Sequence, residues 1–416
     1  MTAPSDSLSA RMGALRLLAH VLRDGRMLRD GQSELTGPEA ARALRLAGLT
    51  LRHMGRADAM LKRHVERQPA ARVRDILRLA LVEIHVDGAA PHGAVNDAVA
   101  MARTSPRTAK QAGLVNAVLR KLAEASEDWA ALPAPALPPW LRKPIAKAWG
   151  RDRLEAIEAA LLVPAPLDLT AKPGGAVDGA ERLPTGSFRL AGGQVSTLPG
   201  FEAGAWWVQD AAAAMPVRLL EDVSGLRVLD LCAAPGGKTM QLAAAGAEVT
   251  ALDLSGKRLA RVRENVARTG LAATLVEADA LDWTPDAPFD VVLLDAPCTA
   301  TGTIRRHADL PHLRESRDVE ALTALQYRLL DRAIGFARPG GRVVFCTCSM
   351  LSVEGEHQVS AALKRHAGLV AEAPDPVAFG LPPEAASAHG LRLLPDLWPD
   401  RGGMDGFYMA VLRTPG

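Results

Sequence analysis

From Leu226 onward the chain repeats one rhythm: a short apolar run, then a helical segment, then another apolar run. The runs are Val228-Leu-Asp-Leu, Val249-Thr-Ala-Leu-Asp-Leu, Thr274-Leu-Val-Glu, Val291-Val-Leu-Leu-Asp and Val343-Val-Phe. Strands separated by helix-length connections must run parallel, so the alternation predicts a doubly wound, Rossmann-like α/β sheet with crossover helices. A last strand is expected over Gly406 to Leu412. In such a sheet ligands bind outside the carboxyl ends of the strands, which tells where the functional residues must be sought.

Residues 8–125 follow a different period. Leu8, Met12, Leu15, Leu18, Ala19 and Leu22 recur every three to four positions, as do Val73, Ile76, Leu77, Leu79, Ala80, Val82 and Ile84. Each set forms an apolar stripe on an amphipathic helix. Asp87-Gly88 punctuates the second helix and Pro91 opens the next. Further helices are expected from about Gly93 to Arg103 and from Thr108 to Ala125, giving a compact all-α bundle over 1–126. Pro133, Pro135, Pro138, Pro139 and Pro144 mark 127–150 as a Pro-rich linker ending in a short helix. A small α+β module is expected over 151–205, and the Rossmann-like domain over 206–416.

Charge separates the same regions. The whole chain has a net charge of +2, but residues 1–126 hold 20 Lys and Arg against 12 Asp and Glu. A basic front half is compatible with a polyanion such as nucleic acid, and equally with solvated helix faces. No apolar run reaches the roughly 18 residues of a membrane helix. Asp6, Arg11 and Arg16 interrupt any secretory apolar core. Four cysteines without a paired framework suit a reducing cytoplasm.

The sharpest segment is Asp230-Leu-Cys-Ala-Ala-Pro-Gly-Gly-Lys-Thr239, which follows a strand and opens a helix. Cys232 stands where a phosphate loop requires Gly, and the Gly-x-Gly-x-x-Gly of dinucleotide binding is absent as well. What remains is a glycine turn, Cys232, Ala233, Ala234, Pro235, Gly236, Gly237 and Lys238, with Asp253 closing the next strand. An acid there can bind both ribose hydroxyls. Ribose binding without a pyrophosphate cradle suits S-adenosylmethionine. Asp279 ends the third strand, where its carboxylate could face an adenine amino group or cap a turn. Arg258 is a weaker cofactor candidate on the helix after Asp253, where a solvated arginine is the plainer reading.

Two more segments end strands at the same edge of the sheet: Leu294-Asp-Ala-Pro-Cys-Thr-Ala-Thr-Gly302 and Cys346-Thr-Cys-Ser349. Both bring cysteines to the cofactor crevice. Cys346-x-Cys348 lacks zinc-site spacing and has no second ligand pair, so no metal is expected. Two thiols and an acid beside a methyl donor suit cytosine C5 methylation. A thiolate adding to C6 makes C5 nucleophilic, after which C5 loses its proton and the thiol is eliminated. Asp295 is placed to hydrogen-bond N3 and stabilise charge in the ring. Spacing does not decide which cysteine attacks.

Together these motifs resemble the Sun (Fmu) family of RNA cytosine-5 methyltransferases. The likeness extends to Gly302-Thr-Ile-Arg-Arg-His-Ala-Asp309, Leu198-Pro-Gly-Phe201, Val208-Gln-Asp210 and Asp405-Gly-Phe-Tyr408. The front domain resembles the RNA-binding NusB family in Ala94-Val-Asn-Asp-Ala98 and Val115-Asn-Ala-Val-Leu-Arg120. The resemblance implies a NusB-like bundle, a small module and an S-adenosylmethionine-dependent methyltransferase domain acting on 16S ribosomal RNA in the cytoplasm. It makes Cys348 the nucleophile and gives proton removal and release to Cys298; DNA cytosine-5 methyltransferases use the Pro-Cys cysteine to attack instead. Thr299 stands where many relatives carry Ser, keeping the hydroxyl. Cys346 is an added thiol, read as a buried strand residue.

Arg305, Arg306 and His307 follow the Pro-Cys loop and are expected to meet RNA near the flipped base. Trp206 and Trp207 read as packing residues, and His20, His53, His64 and His85 receive no chemistry. One chain carrying both domains suffices, so a monomer is expected. Rival readings are the same chemistry on transfer RNA or 23S ribosomal RNA, and a NusB-like RNA-binding factor with an inactive methyltransferase domain. Intact Asp253, Asp295, Cys298 and Cys348 oppose the last.

Overall fold

The computed structural model describes residues 6–34 and 38–416. The chain divides into two compact units, one of 1–143, 151–163 and 304–314, the other of 144–150, 164–303 and 315–416.

The first unit is helical. Its helices include α1 (Asp6–Leu22), α2 (Pro38–His64), α3 (Ala71–His85), α4 (Pro91–Arg103), the single turn α5 (Pro106–Ala109), α6 (Ala112–Ala123) and α7 (Ser126–Ala130). Proline stands in the first turn of α4 and of α5, where its missing N–H has no intrahelical partner to lose. The predicted stripes form the core: Leu15 and Leu18 meet Ile76, Leu77 and Leu119, all fully buried. The helix expected from Thr108 divides into α5 and α6, because the Thr108 hydroxyl turns back to the Ala102 carbonyl at 2.6 Å and closes the first turn.

The expected linker ends in a short helix as predicted, α8 (Pro139–Trp149), with Pro139 opening it and Pro144 inside its first two turns, and α7 adds a helical turn that begins at Ser126. Gly150, at φ +85°, separates α8 from α9 (Arg151–Ala160). Helix α9 belongs to the helical unit rather than to a separate module. Its buried Glu158 accepts from the Leu137 N–H and the Arg142 guanidinium, each at 2.8 Å. Residues 304–314 also join this unit, although in sequence they follow the Pro-Cys loop directly.

The second unit begins with a four-stranded antiparallel sheet of β1 (Leu167–Ala171), β2 (Glu181–Arg182), β3 (Phe188–Leu190) and β4 (Trp206–Val208), in the order β2-β3-β1-β4. The boundary expected between 205 and 206 falls inside this sheet. Trp206 packs with Leu169 and Phe188, and Trp207 packs with Met240, Leu259 and Val262. Arg189 grips Asp168 with two bonds of 2.6 and 2.7 Å across β1 and β3.

Beyond α10 (Ala211–Arg218) comes the large sheet. Its parallel part comprises β5 (Arg227–Leu231), β6 (Glu248–Asp253), β7 (Thr274–Glu277), β8 (Phe289–Asp295) and β9 (Ala337–Thr347). The helices between them are α11 (Gly237–Ala244), α12 (Gly256–Arg268), the short α13 (Leu310–Leu313, in the helical unit) and α14 (Ser316–Phe336). After α15 (Glu356–Arg365) follow β10 (Val370–Glu372), β11 (Ala386–Ser387), β12 (Gly390–Leu393) and β13 (Phe407–Arg413). Sheet order is β11-β12-β13-β9-β8-β5-β6-β7, with β10 paired to β13 and β13 antiparallel to β9. The chain steps from β5 to β6 and β7 on one side, then returns to β8 and β9 on the other. The switch point therefore lies between β5 and β8, and it opens a crevice at their carboxyl ends.

Candidate active site

Every strand of the parallel set delivers a functional candidate at its carboxyl end. After β5 the backbone turns sharply: Cys232 is left-handed at φ +60° and Gly236 at φ +99°. A side chain at Gly236 would also meet the Val262 side chain at 3.0 Å, so glycine is needed both for conformation and for close approach to α12. Gly236 caps α11, whose first N–H groups point toward the strand tips.

Asp253 closes β6, nearly buried, and accepts from the Ala234 N–H at 3.2 Å and the Ser255 N–H at 3.0 Å. Arg258, the weaker cofactor candidate, is exposed as a solvated arginine would be, and also reaches Asp253 at 3.4 Å and the Ala234 carbonyl at 3.0 Å. It clips the turn after β5 to Asp253. Asp279 lies just beyond β7 and uses Oδ1 to accept from the Leu281 N–H at 2.9 Å, as a turn-capping aspartate does.

Asp295, at the tip of β8, holds the buried Lys238 ammonium at 2.8 Å. Burial works against the Lys238 charge, but Asp295 more than offsets it and raises the lysine above its ordinary value. The Cys346 thiol donates to the other Asp295 oxygen at 3.6 Å. Cys346 is fully buried on β9, in agreement with its reading as a strand residue. Burial and the Asp295 charge push its thiol well above the usual range, as burial and neighbouring carboxylates push Cys232 up to about 12. Neither is suited to be a nucleophile.

The remaining two cysteines meet. Cys298 and Cys348, fifty positions apart, place their sulfurs 3.5 Å from each other. Both are partly exposed, unlike Cys346. The bond to Cys348 and burial raise Cys298 well above a normal thiol, so it is held protonated. The loops that carry them are pinned to each other: the Gly302 N–H donates to the Cys348 carbonyl at 3.0 Å, and the Met350 N–H donates to the Thr301 hydroxyl at 3.0 Å.

Three groups were not singled out from sequence. Asp230 is fully buried on β5, pushed up to about 7 by burial; Thr239 holds one oxygen at 2.6 Å and the other has no hydrogen-bond partner among the described residues. Glu354 is fully buried and joins the two cysteine loops, and Arg392 donates to the Ser349 carbonyl. Asp230 opens the cofactor motif and could have been found there; Glu354 and Arg392 lie in no pattern of period or spacing.

The RNA-contact candidates separate. Arg305 is 2% exposed and its carbonyl accepts from Arg52 at 2.8 Å, so this side chain is packed inside the helical unit rather than presented to a phosphate. Ile304 and Leu310 are buried on the same segment, which is why it turns inward. Arg306 is exposed and His307 is half-buried. Among the described residues no group of three or more His, Cys, Asp or Glu could hold a metal ion, and no helix is long and apolar enough to cross a membrane.

The residues at the strand tips fit S-adenosylmethionine. Asp253 can accept from ribose hydroxyls, the unpartnered Asp230 oxygen can accept from an ammonium, and the left-handed glycine turn leaves the loop backbone bare. Residues 217–413 match the family described as 16S rRNA methyltransferase RsmB/F, and residues 8–124 match the NusB family. A ribosomal RNA small subunit methyltransferase B from Xanthomonas campestris pv. campestris is 35% identical, with 97% of each chain covered. The crystal structure of PH0851 covers 99% of both chains at 22% identity and a TM-score of 0.71, a likeness of fold. A methyltransferase homolog protein from Pyrococcus horikoshii is 28% identical over 65% of this chain and 93% of its own, with a TM-score of 0.54. A NusB-family bundle thus precedes an S-adenosylmethionine-dependent domain, and the chain belongs to the RsmB/F family of 16S ribosomal RNA methyltransferases.

Proposed function

We propose that this protein methylates C5 of a cytosine in 16S ribosomal RNA, in the cytoplasm and as a monomer, through a covalent adduct between Cys348 and C6. The observation that carries the reading is the pair of sulfurs 3.5 Å apart, set beside Asp295 at the carboxyl edge of the sheet. The small-subunit substrate follows from the name of the relative aligned along almost the whole chain.

S-adenosylmethionine, when bound, supplies an electrophilic methyl group. Cys232 through Lys238, Asp253, Asp279 and Asp295 would hold it, with Arg258 keeping the loop against Asp253. Asp230 would take its ammonium group. Cys348 gives its proton to water and attacks C6 as thiolate while N3 takes up a proton, and the Asp295 carboxylate accepts from the N3–H so formed and steadies the ring charge. Lys238 fixes the Asp295 carboxylate for that task. Once C5 carries the methyl group, water takes the C5 proton, the electron pair left behind restores the C5–C6 double bond and expels Cys348 as thiolate, and the protonated Cys298, 3.5 Å away, assists that release by donating to the departing sulfur. The protonated state of Cys298 suits a group that does not compete for C6. Arg306 and His307 remain the RNA contacts of this reading, and Arg305 acts from within the helical unit.

The test is a Cys298→Ala variant incubated with S-adenosylmethionine and unmodified 16S ribosomal RNA. A covalent protein–RNA band should accumulate on a denaturing gel, vanish in the Cys298→Ala/Cys348→Ala double variant, and be weak or missing with transfer RNA or 23S ribosomal RNA. Methyl transfer by Cys348→Ala at more than about one-hundredth of the wild-type rate would sink the assignment.

A further inference from the structure

We infer that Glu354 is a positioning residue that holds the two reacting cysteines in register; this rests on the assignment of Cys348 and Cys298 given above. Its carboxylate spans the two loops. One oxygen accepts from the Thr299 N–H at 2.9 Å and the Gln326 amide at 3.1 Å. The other accepts from the Thr299 and Ser349 hydroxyls, each at 2.5 Å. Thr299 is the residue after Cys298, and Ser349 is the residue after Cys348. The Glu354 carbonyl takes the Thr347 hydroxyl at 3.0 Å, so the nucleophile is gripped on both sides.

Four donors occupy the four acceptor sites of a carboxylate, and no arginine or lysine pairs with Glu354 among the described residues. Burying a carboxylate without a counter-ion is costly, and an apolar side chain would fill the space more cheaply. What the apolar side chain could not do is tie Cys298 to Cys348. The threonine at 299 keeps the one feature this tether needs, its hydroxyl. The Glu354 carboxylate also contributes to keeping Cys298 protonated.

A displaced Cys298 would fail at release before Cys348 failed at attack. Glu354→Ala should therefore lower kcat about 100-fold, the scale expected for a misplacement of order 1 Å, and should accumulate the covalent protein–RNA band as Cys298→Ala does. Glu354→Gln keeps the reach and part of the hydrogen bonding, so it should lose roughly 10-fold and trap less adduct. Both are run with 16S ribosomal RNA beside Cys298→Ala, after S-adenosylmethionine binding shows that each is folded. Should Glu354→Ala not fold, the adduct in Glu354→Gln decides. Turnover within threefold of wild type, or lost activity without an adduct while Cys298→Ala forms one, overturns the role of Glu354 and leaves the cysteine assignment standing. If Cys298→Ala itself forms no adduct, the cysteine assignment has failed and the tether falls with it.

Discussion

Three buried carboxylates of the helical unit and two at the strand tips of the large sheet are handled in opposite ways. In the helical unit arginine neutralises Glu83, through Arg11 at 2.6 Å and Arg42 at 3.1 Å, Asp75, through Arg23 and Arg78, and Glu158, through Arg142. At the strand tips Asp230 is held by a threonine hydroxyl, and Glu354 by hydroxyls and amides. Ion pairs give a bundle a unique arrangement of helices and leave no charge available. Carboxylates held by neutral donors have no counter-ion to satisfy them, which leaves them available to a ligand or to the reacting loops at a cost in stability.

The largest effect should come from Asp230. Its folded value lies near 7 and its unfolded value near 3.8, so the folded state binds the extra proton between them. Stability is therefore greatest below about pH 4 as far as this group is concerned, and falls as pH rises toward 7, by an amount on the order of 4 kcal/mol. Urea unfolding of the ligand-free protein across that range should show the decline, and Asp230→Asn should flatten it while weakening S-adenosylmethionine binding. A variant with an unchanged pH slope would remove Asp230 from the comparison.

Glu83→Gln should act with the opposite sign. It leaves Arg11 and Arg42 without their shared partner in the bundle core and should cost about 3 kcal/mol of stability at pH 7. Methyl transfer per folded molecule, measured well below the unfolding midpoint, should stay near wild type. A fall in that rate as large as the Asp230→Asn effect would show that the paired carboxylates also serve catalysis.

The smallest effect sharpens the role of charge at Glu354. Removing a nearby negative charge favours a thiolate, so Glu354→Gln should move the pH midpoint of Cys298 alkylation downward. Iodoacetamide labelling followed by peptide mass spectrometry reads this at Cys298 separately from Cys348. An upward or absent shift would mean that Glu354 acts by geometry alone.

Much of the fold was legible because it is written in local period. The helices of the bundle follow from stripes such as Val73 to Ile84, and the five parallel strands from apolar runs that the structure reproduces within a few residues. The boundaries were less legible. The proline-rich composition concealed α7, which holds no proline itself, while the short helix expected at the end of that segment is α8, with Pro139 at its start. Residues 304–314 sit among catalytic motifs in sequence yet pack with the helical unit, because Ile304 and Leu310 are buried there. That is also why Arg305 turned away from its expected role.

By itself the sequence determined the class of sheet, the edge where chemistry must occur, and the residues whose local backbone makes them candidates: the left-handed turn at Gly236, the acids at strand ends, and the two cysteines. These depend on neighbours only a few positions away. Tertiary structure alone decided which side chains act on one another. The Lys238–Asp295 pair spans 57 positions, the Cys346–Asp295 contact 51, and the Thr299–Glu354 tether 55. Such contacts are created when separate strands and loops are brought to one edge. Their strength comes from the exclusion of water there, which no local pattern of residues records.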